Sequence, residues 1–308
     1  MSEVSKPFRS GFVALVGPAN AGKSTLLNAL LKRKVSIVSP KEQTTRGRVI
    51  GVKNLESAQI VFVDTPGILS RQYRGALSRF LNSELSESAR DSDCCVLVVD
   101  SVVALENPRY VERVKISLRQ RGIGEPAIVA LNKIDQLDQR SLLPILARLK
   151  EEFGEETTEF VPISAKKGQG LEFICKLLLD RLPEGPAFFP LDMPSDQPDQ
   201  VLAAEIVREK LMLRLSQEVP YSAAVLVTQW NETEKIIKID AEIAVERPSQ
   251  KAIVIGKGGQ MLKSVGIAAR QDLEKIFNVQ VHLQLHVKVQ PGWTKSDMKV
   301  AQWHSRLQ

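Results

Sequence analysis

The sequence predicts a doubly wound α/β domain with a mostly parallel sheet, followed by a smaller α+β domain. Three observations carry this reading. From residue 11 to about 181, short β-branched runs alternate with amphipathic helical stretches, the rhythm of strands connected by helices. Proline then recurs at 183, 186, 190, 194 and 198, which favours an extended linker. Beyond it the pattern changes to a helix, two strands, a helix–turn–helix and a last strand. A chain of 308 residues is long enough for two domains of unequal size, and the expected bounds are 1–182, a linker over 183–200, and 201–308.

Taken in order, the expected strands of the first domain are Phe12–Val16, Val49–Val52, Gln59–Val63, Val96–Asp100, Ala127–Leu131 and Phe160–Ile163. Several are nearly continuous apolar runs, as strands covered by helices on both faces must be. Helices are expected near 23–31, 76–90, 107–120, 141–153 and 170–181. In the second domain a helix over 201–217 precedes strands at 224–230 and 235–246, then a helix–turn–helix–strand over 249–289.

Composition excludes several classes. With 43% hydrophobic and 25% charged residues, the chain has no low-complexity tract and no run of eighteen apolar residues, so nothing is expected to span a bilayer. The first ten residues, MSEVSKPFRS, lack the apolar region of a signal peptide. Cys94, Cys95 and Cys175 have no metal-ligand spacing and are expected as reduced thiols, in keeping with a cytoplasmic protein. The net charge of +6 hints at a polyanionic partner, and residues 201–308 hold +4 of it.

Gly17-Pro18-Ala19-Asn20-Ala21-Gly22-Lys23-Ser24 matches GxxxxGK[ST] between a strand and a helix, the context this phosphate-binding loop needs. Its glycines let successive N–H groups, Asn20, Ala21, Gly22 and Thr25 included, surround phosphate oxygens at a helix N-terminus. Lys23 supplies a cation for the β- and γ-phosphates, and the Ser24 hydroxyl is a Mg²⁺ ligand. Asp64-Thr65-Pro66-Gly67 closes a strand beside this loop: Asp64 is placed to hold Mg²⁺ through water, and the Gly67 N–H to approach a γ-phosphate. In Asn132-Lys133-Ile134-Asp135 the Asp135 carboxylate matches the paired donors of guanine, which adenine lacks. Asn132 braces the loop, and the Lys133 stem covers the ring face. Ser164-Ala165-Lys166 brings a backbone N–H towards guanine O6. The four motifs, in order and each at a strand end, predict a P-loop GTPase domain that binds GTP and GDP and hydrolyses GTP.

At Ile37-Val38-Ser39 and Gln43-Thr44-Thr45-Arg46 the sequence resembles the effector region of the bacterial Era family. The resemblance implies that Thr44 or Thr45 contacts Mg²⁺ and γ-phosphate; Thr45 is preferred, although local spacing does not decide between them. Ile68 follows the DTPG motif where many small GTPases carry a water-orienting glutamine. Catalysis is therefore expected from positioning by Lys23, Thr45 and Gly67, with no side chain assigned as general base. The family resemblance extends to GTPases that hold K⁺ at the phosphate loop, where Asn20 is the candidate ligand; its alternative is to brace the loop.

In the second domain, Ile253-Val254-Ile255-Gly256-Lys257-Gly258-Gly259 forms a GxxG turn between helices, similar to a KH domain of type II, which clamps single-stranded RNA. Glycines 256, 258 and 259 allow phosphate to approach, Lys257 adds charge, and Ile253, Ile255 and the following helix would line the groove. His282 and His286 share a strand face without further ligands and are expected as ordinary surface histidines. Trp293 and Trp303 either pack on the domain or stack bases. The order of GTPase motifs, linker and KH module extends the resemblance to Era over nearly the whole chain. It implies a monomeric ribosome-assembly GTPase that binds the 3′ end of small-subunit ribosomal RNA and the small subunit, cytoplasmic, with partial peripheral association with the cell membrane. Two other readings stay open: a GTPase whose second domain binds protein or DNA, and a non-enzymatic RNA-binding scaffold that merely holds nucleotide.

Overall fold

The computed structural model describes residues 7–68, 75–154, 156 and 158–305, with the side chains of 302–305 left aside. Contacts divide the chain into two units. The first comprises most of residues up to Asp196; the second comprises 197–305 together with 37–44 and 75–80.

The first unit is built on a six-stranded sheet. Its strands are β1 (Arg9–Val16), β2 (Val49–Leu55), β3 (Ala58–Asp64), β4 (Cys94–Asp100), β5 (Ile128–Asn132) and β6 (Glu159–Pro162), in the order β2-β3-β1-β4-β5-β6. All neighbours are parallel except β2 with β3, so the mostly parallel sheet expected from sequence is present. Every residue of β3 and β5 is buried, which explains why these strands read as nearly continuous apolar runs. Helices α1 (Lys23–Leu31), α2 (Ala76–Arg90), α3 (Ser101–Glu106), α4 (Tyr110–Gln120), α5 (Leu142–Phe153) and α6 (Leu171–Leu179) complete the unit's elements, α2 being shared with the second unit. Leu26, Leu27, Ile174 and Leu178 pack on one side of the sheet; Val111, Val114, Ile145 and Leu149 pack on the other.

Two features depart from the sequence reading. The helix expected over 107–120 is α4, beginning at Tyr110, and a further helix not expected from sequence precedes it: the Asp100 side chain accepts from Val102 N and Val103 N and starts α3 directly after β4. The proline-rich segment is docked along the first unit as a strap. Ser10 Oγ donates to Pro186 O at 2.6 Å, Gln59 bonds Phe188 N, Phe189 N and Phe189 O, and Val52 N donates to Pro194 O at 2.9 Å. Proline supplies no amide donor, so Pro186 and Pro194 take part through their carbonyls and the segment's amide donors here are Phe188 and Phe189.

The second unit has α7 (Asp199–Arg214), a short α8 (Val219–Ser222), β7 (Ala224–Glu232), β8 (Ile236–Val245), α9 (Pro248–Ile255), α10 (Gln260–Phe277), β9 (Gln280–Val289) and α11 (Asp297–Ser305). Its sheet runs β7-β8-β9, with β7 antiparallel and β9 parallel to β8. Val207, Leu211, Ile239, Ile243, Val254, Val265 and Leu273 form the core. Residues 37–44 group here because Ile37 enters this core, Val38 N donates to Glu209 at 2.9 Å, and the Lys41 ammonium and the buried Arg208 guanidinium donate to the carbonyls of Leu215 and Thr44.

Candidate functional site

In the first unit, β1 delivers the chain into the phosphate loop and α1 begins at Lys23, with Gly22 at φ 100° as its N-cap. Only glycine fits there: a Cβ at Gly22 would lie 2.3 Å from Asn132 Nδ2. Lys23 is buried, its ammonium donating to the carbonyls of Gly17 and Pro18 at 3.0 Å each. Thr25 is half-buried on the first turn of α1, and Asn20 is exposed with φ 63°.

Asp64 is fully buried at the end of β3. Its Oδ2 accepts from Ser24 at 2.6 Å, Ser36 at 2.9 Å and Thr45 at 3.4 Å, and the Ser24 and Thr45 hydroxyls are 3.0 Å apart. Its Oδ1 is buried without a hydrogen-bond partner. Burial lifts the Asp64 carboxyl above its ordinary range against the opposing pull of Lys23 and the three hydroxyls. Burial likewise brings Lys23 down to about 8, against the pull of Asp64. Both groups are shielded from solvent. Of the two threonines, Thr45 reaches this cluster, whereas the Thr44 hydroxyl pairs with Ser39 and donates to Lys41 O. Ser36 was not singled out from sequence. Asn28 of α1 places it, bonding Val35 N, Ser36 N and Ser36 O at 2.9, 3.0 and 2.7 Å; the signal was an asparagine inside the otherwise apolar stretch 26–31 of that helix.

The segment after β3 closes against the phosphate loop. Ile68 N donates to Gly17 O at 3.0 Å and Ala19 N to Ile68 O at 3.3 Å. A Cβ at Gly67 would lie 2.8 Å from Ala19 Cα, so glycine is required for this approach. The Ile68 side chain is buried in the core among Val16, Val99 and Leu131.

The Asn132–Asp135 and Ser164–Lys166 motifs converge from the ends of β5 and β6. Asn132 donates to Ala21 O at 2.8 Å and accepts from Ala165 N at 2.9 Å, tying three motifs together. Ser164 Oγ donates to Asp135 Oδ1 at 2.6 Å while accepting from Lys167 N at 3.1 Å, which fixes the exposed Asp135 carboxylate. The Lys133 ammonium lies 2.5 Å from Asp100 Oδ2. Lys166 is exposed beside them.

In the second unit, α9 and α10 meet at the GxxG turn, where Gly256, Gly258 and Gly259 have φ of 72°, 59° and 77°, a backbone that strains any side-chain-bearing residue. Lys257 and Gly258 are exposed. A groove of about 380 Å³ starts at Gly259 and runs between α10 and β9. Leu262, Leu283 and Leu285 give it an apolar floor, Gly266 leaves it open, and Ile267, Lys263 and Arg270 form its rim. Ile253 (48% exposed) and the half-buried Ile255 are not among these lining residues. Trp293 packs on the unit, 2% exposed, with its indole N–H donating to Ser222 O at 2.9 Å; the Trp303 side chain lies outside the described residues. His282 and His286 are exposed on β9, and no cluster of three or more metal-ligating side chains exists among the described residues.

A family model described as "50S ribosome-binding GTPase" matches residues 12–133, and a KH-domain model matches 218–294. The chain is 42% identical to GTPase Era of Nitratidesulfovibrio vulgaris (strain DP4), over 93% of this chain and 94% of that one. It is 40% identical to GTPase Era of Coxiella burnetii (strain RSA 493), over 95% and 96%. The chain belongs to the GTPase Era family. It is therefore a GTP-hydrolysing enzyme with a C-terminal KH domain. Two crystal structures share its fold at TM-score 0.88 and 41% identity: Era in complex with MgGDPNP and nucleotides 1506–1542 of 16S ribosomal RNA, which covers 96% of this chain, and a point variant of Aquifex aeolicus Era bound to GDP and tetrafluoroaluminate.

Proposed function

We propose that this Era-family GTPase is a GTP/GDP switch that binds the 3′ end of small-subunit ribosomal RNA through its KH domain and acts in small-subunit assembly. The observation that supports this most is the joint presence of the four-motif cradle and the α10–β9 groove in one chain. The same order of domains occurs in a relative crystallised with a GTP analogue and a 16S RNA fragment. That RNA belongs to the small subunit, which favours it over the large subunit named in the family description.

In this reading the domains are 1–182 and 201–308 joined by 183–200. Asn20, Ala21, Gly22, Lys23, Ser24 and Thr25 bind phosphates; Asn132, Lys133, Asp135, Ser164, Ala165 and Lys166 bind guanine. Ser24, Thr45 and Asp64 would hold Mg²⁺. They fit a hard cation because all donors are oxygen and the buried Asp64 Oδ1 has no other partner. The bound ion would neutralise charge on the β- and γ-phosphates. Water attacks the γ-phosphate in line, positioned by backbone N–H groups such as that of Gly67 and by Lys23, since the buried Ile68 side chain has nothing to donate. Asn20 is proposed as a K⁺ ligand whose ion supplies charge at the phosphates. Ile253, Ile255, Gly256, Lys257, Gly258 and Gly259 form the RNA clamp, joined by Lys263 and Arg270 on the groove rim. The protein acts as a cytoplasmic monomer with a partial peripheral membrane association; among the described residues no helix is long and apolar enough to cross a membrane.

Two measurements on the full chain test this. Single-turnover phosphate release from GTP separates an enzyme from a nucleotide-holding scaffold. Competition between single-stranded RNA of the small-subunit 3′ end and DNA of the same sequence should favour RNA, because only RNA carries the 2′-hydroxyl. Equal affinity for both would contradict the RNA reading.

A further inference from the structure

We infer that Asp100 is a positioning residue for guanine-nucleotide binding, acting through Lys133. The inference rests on the reading that the Lys133 stem covers the base, and extends it to a residue outside the four motifs.

Strands β4 and β5 run parallel with Asp100 aligned to Asn132, so the carboxylate ending one strand stands beside the base-recognition loop that ends the next. Lys133 Nζ lies 2.5 Å from Asp100 Oδ2, with side-chain exposures of 29% and 9%. The other oxygen is committed elsewhere: Oδ1 accepts from Val102 N at 3.0 Å and Val103 N at 3.3 Å, capping α3. The Asp100 N–H in turn donates to the Tyr110 hydroxyl of α4 at 3.4 Å. Backbone and one carboxylate oxygen are thus pinned, and Oδ2 meets the ammonium at a fixed point.

Lys133 is the residue this would most affect. Its backbone is left-handed, φ 69°, at the start of the short 3-10 turn Ile134–Gln136 that carries Asp135. A free lysine stem samples many rotamers, and ordering it on ligand binding opposes affinity. An ion pair formed beforehand removes that opposition from the binding step and fixes where the stem ends. The ammonium is thereby kept at the base end of the site, while Lys23 serves the phosphates.

The two oxygens of Asp100 allow the roles to be separated. Asp100→Asn retains an oxygen to cap α3 but removes the charge that holds Lys133; Asp100→Ala removes both. The experiment measures release of a fluorescent GDP analogue and thermal unfolding for the full chain, for Asp100→Asn, Asp100→Ala and Lys133→Ala, and for Asp100→Asn combined with Lys133→Ala. Asp100→Asn should release GDP on the order of tenfold faster, as for loss of one partly exposed charge-assisted hydrogen bond, while melting near wild type and above Asp100→Ala. The double variant should be no faster than Lys133→Ala alone, since both remove one interaction. The inference is overturned by wild-type release in Asp100→Asn when Lys133→Ala is fast. Multiplying effects in the double variant would overturn it too, as would Asp100→Asn melting as low as Asp100→Ala. Wild-type release in Lys133→Ala would overturn both the inference and the reading of Lys133 on which it rests.

Discussion

In the nucleotide cradle, Lys23, Asp64, Asn132 and Ser164 are each at most 5% exposed; Lys23 bonds carbonyls of its own loop, and the other three bond residues of other motifs. At the KH turn and the groove beside it, Lys257, Lys263, Ile267 and Arg270 are exposed, and an apolar floor lies open beneath the groove's rim. The contrast follows from the ligands. A nucleoside triphosphate is small and densely charged, so each donor must stand at one place in a site stripped of water, and each place dictates a residue. A single RNA strand is held along its length by shape, apolar contact and charge, and many side chains satisfy those demands.

The largest effect is expected at Asp135. Asp135→Asn replaces an acceptor matched to two guanine donors, and GTP affinity should fall on the order of a hundredfold or more. Xanthosine triphosphate should bind better than to wild type, because the amide can donate to the oxygen that replaces the guanine amino group. Unchanged preference for GTP in competition binding would contradict the assignment of this loop. A smaller loss is expected in the groove. Lys257→Asp with Gly258→Asp adds charge and bulk at an exposed turn, and RNA affinity should fall more than tenfold while GTP affinity stays near wild type. RNA binding that persists would move the RNA contact away from this turn.

Smaller still is the cation effect. GTP hydrolysis should run several-fold faster in KCl than in NaCl at equal ionic strength, as one added positive charge near the phosphates predicts. Asn20→Ala should remove the difference without abolishing nucleotide binding. Equal rates in the two salts, or a difference that survives Asn20→Ala, would leave Asn20 as loop bracing. The smallest expected effect is on stability. Gly266 lies in the interior of α10, and a Cβ there would meet only Leu285 Cδ1, at an ordinary 3.6 Å. Gly266→Ala should stabilise the second unit by about 0.5–1 kcal/mol in denaturant unfolding. A loss of stability would mean that the α10–β9 packing is tighter than this distance implies.

What was legible in the sequence divides along the same line. The phosphate loop, Asp64, Asn132 and Asp135 stood out because their chemistry admits few residue types, and the parallel sheet because β3 and β5 are buried along their whole length. Helix α3 was hidden: its cap is the last residue of a strand, and Asp100 reads equally well as a strand end. The Ser164–Asp135 and Ser36–Asp64 bonds join residues far apart in the chain, and spacing carries no trace of them. The proline-rich segment was read by its backbone preference alone, whereas its docking depends on the side chain of Gln59 in β3. In the KH domain the glycine turn announced itself. The groove floor did not, because Leu283 and Leu285 are two ordinary leucines on an alternating strand.

The most direct test is which RNA the chain holds in the cell. The full-length protein, loaded with GTP or with GDP, should be crosslinked to total cellular RNA and the bound fragments sequenced. The account predicts that fragments from the 3′ end of small-subunit ribosomal RNA dominate, and that Lys257→Asp with Gly258→Asp removes them. Fragments drawn mainly from large-subunit RNA, or scattered without enrichment at that end, would contradict it.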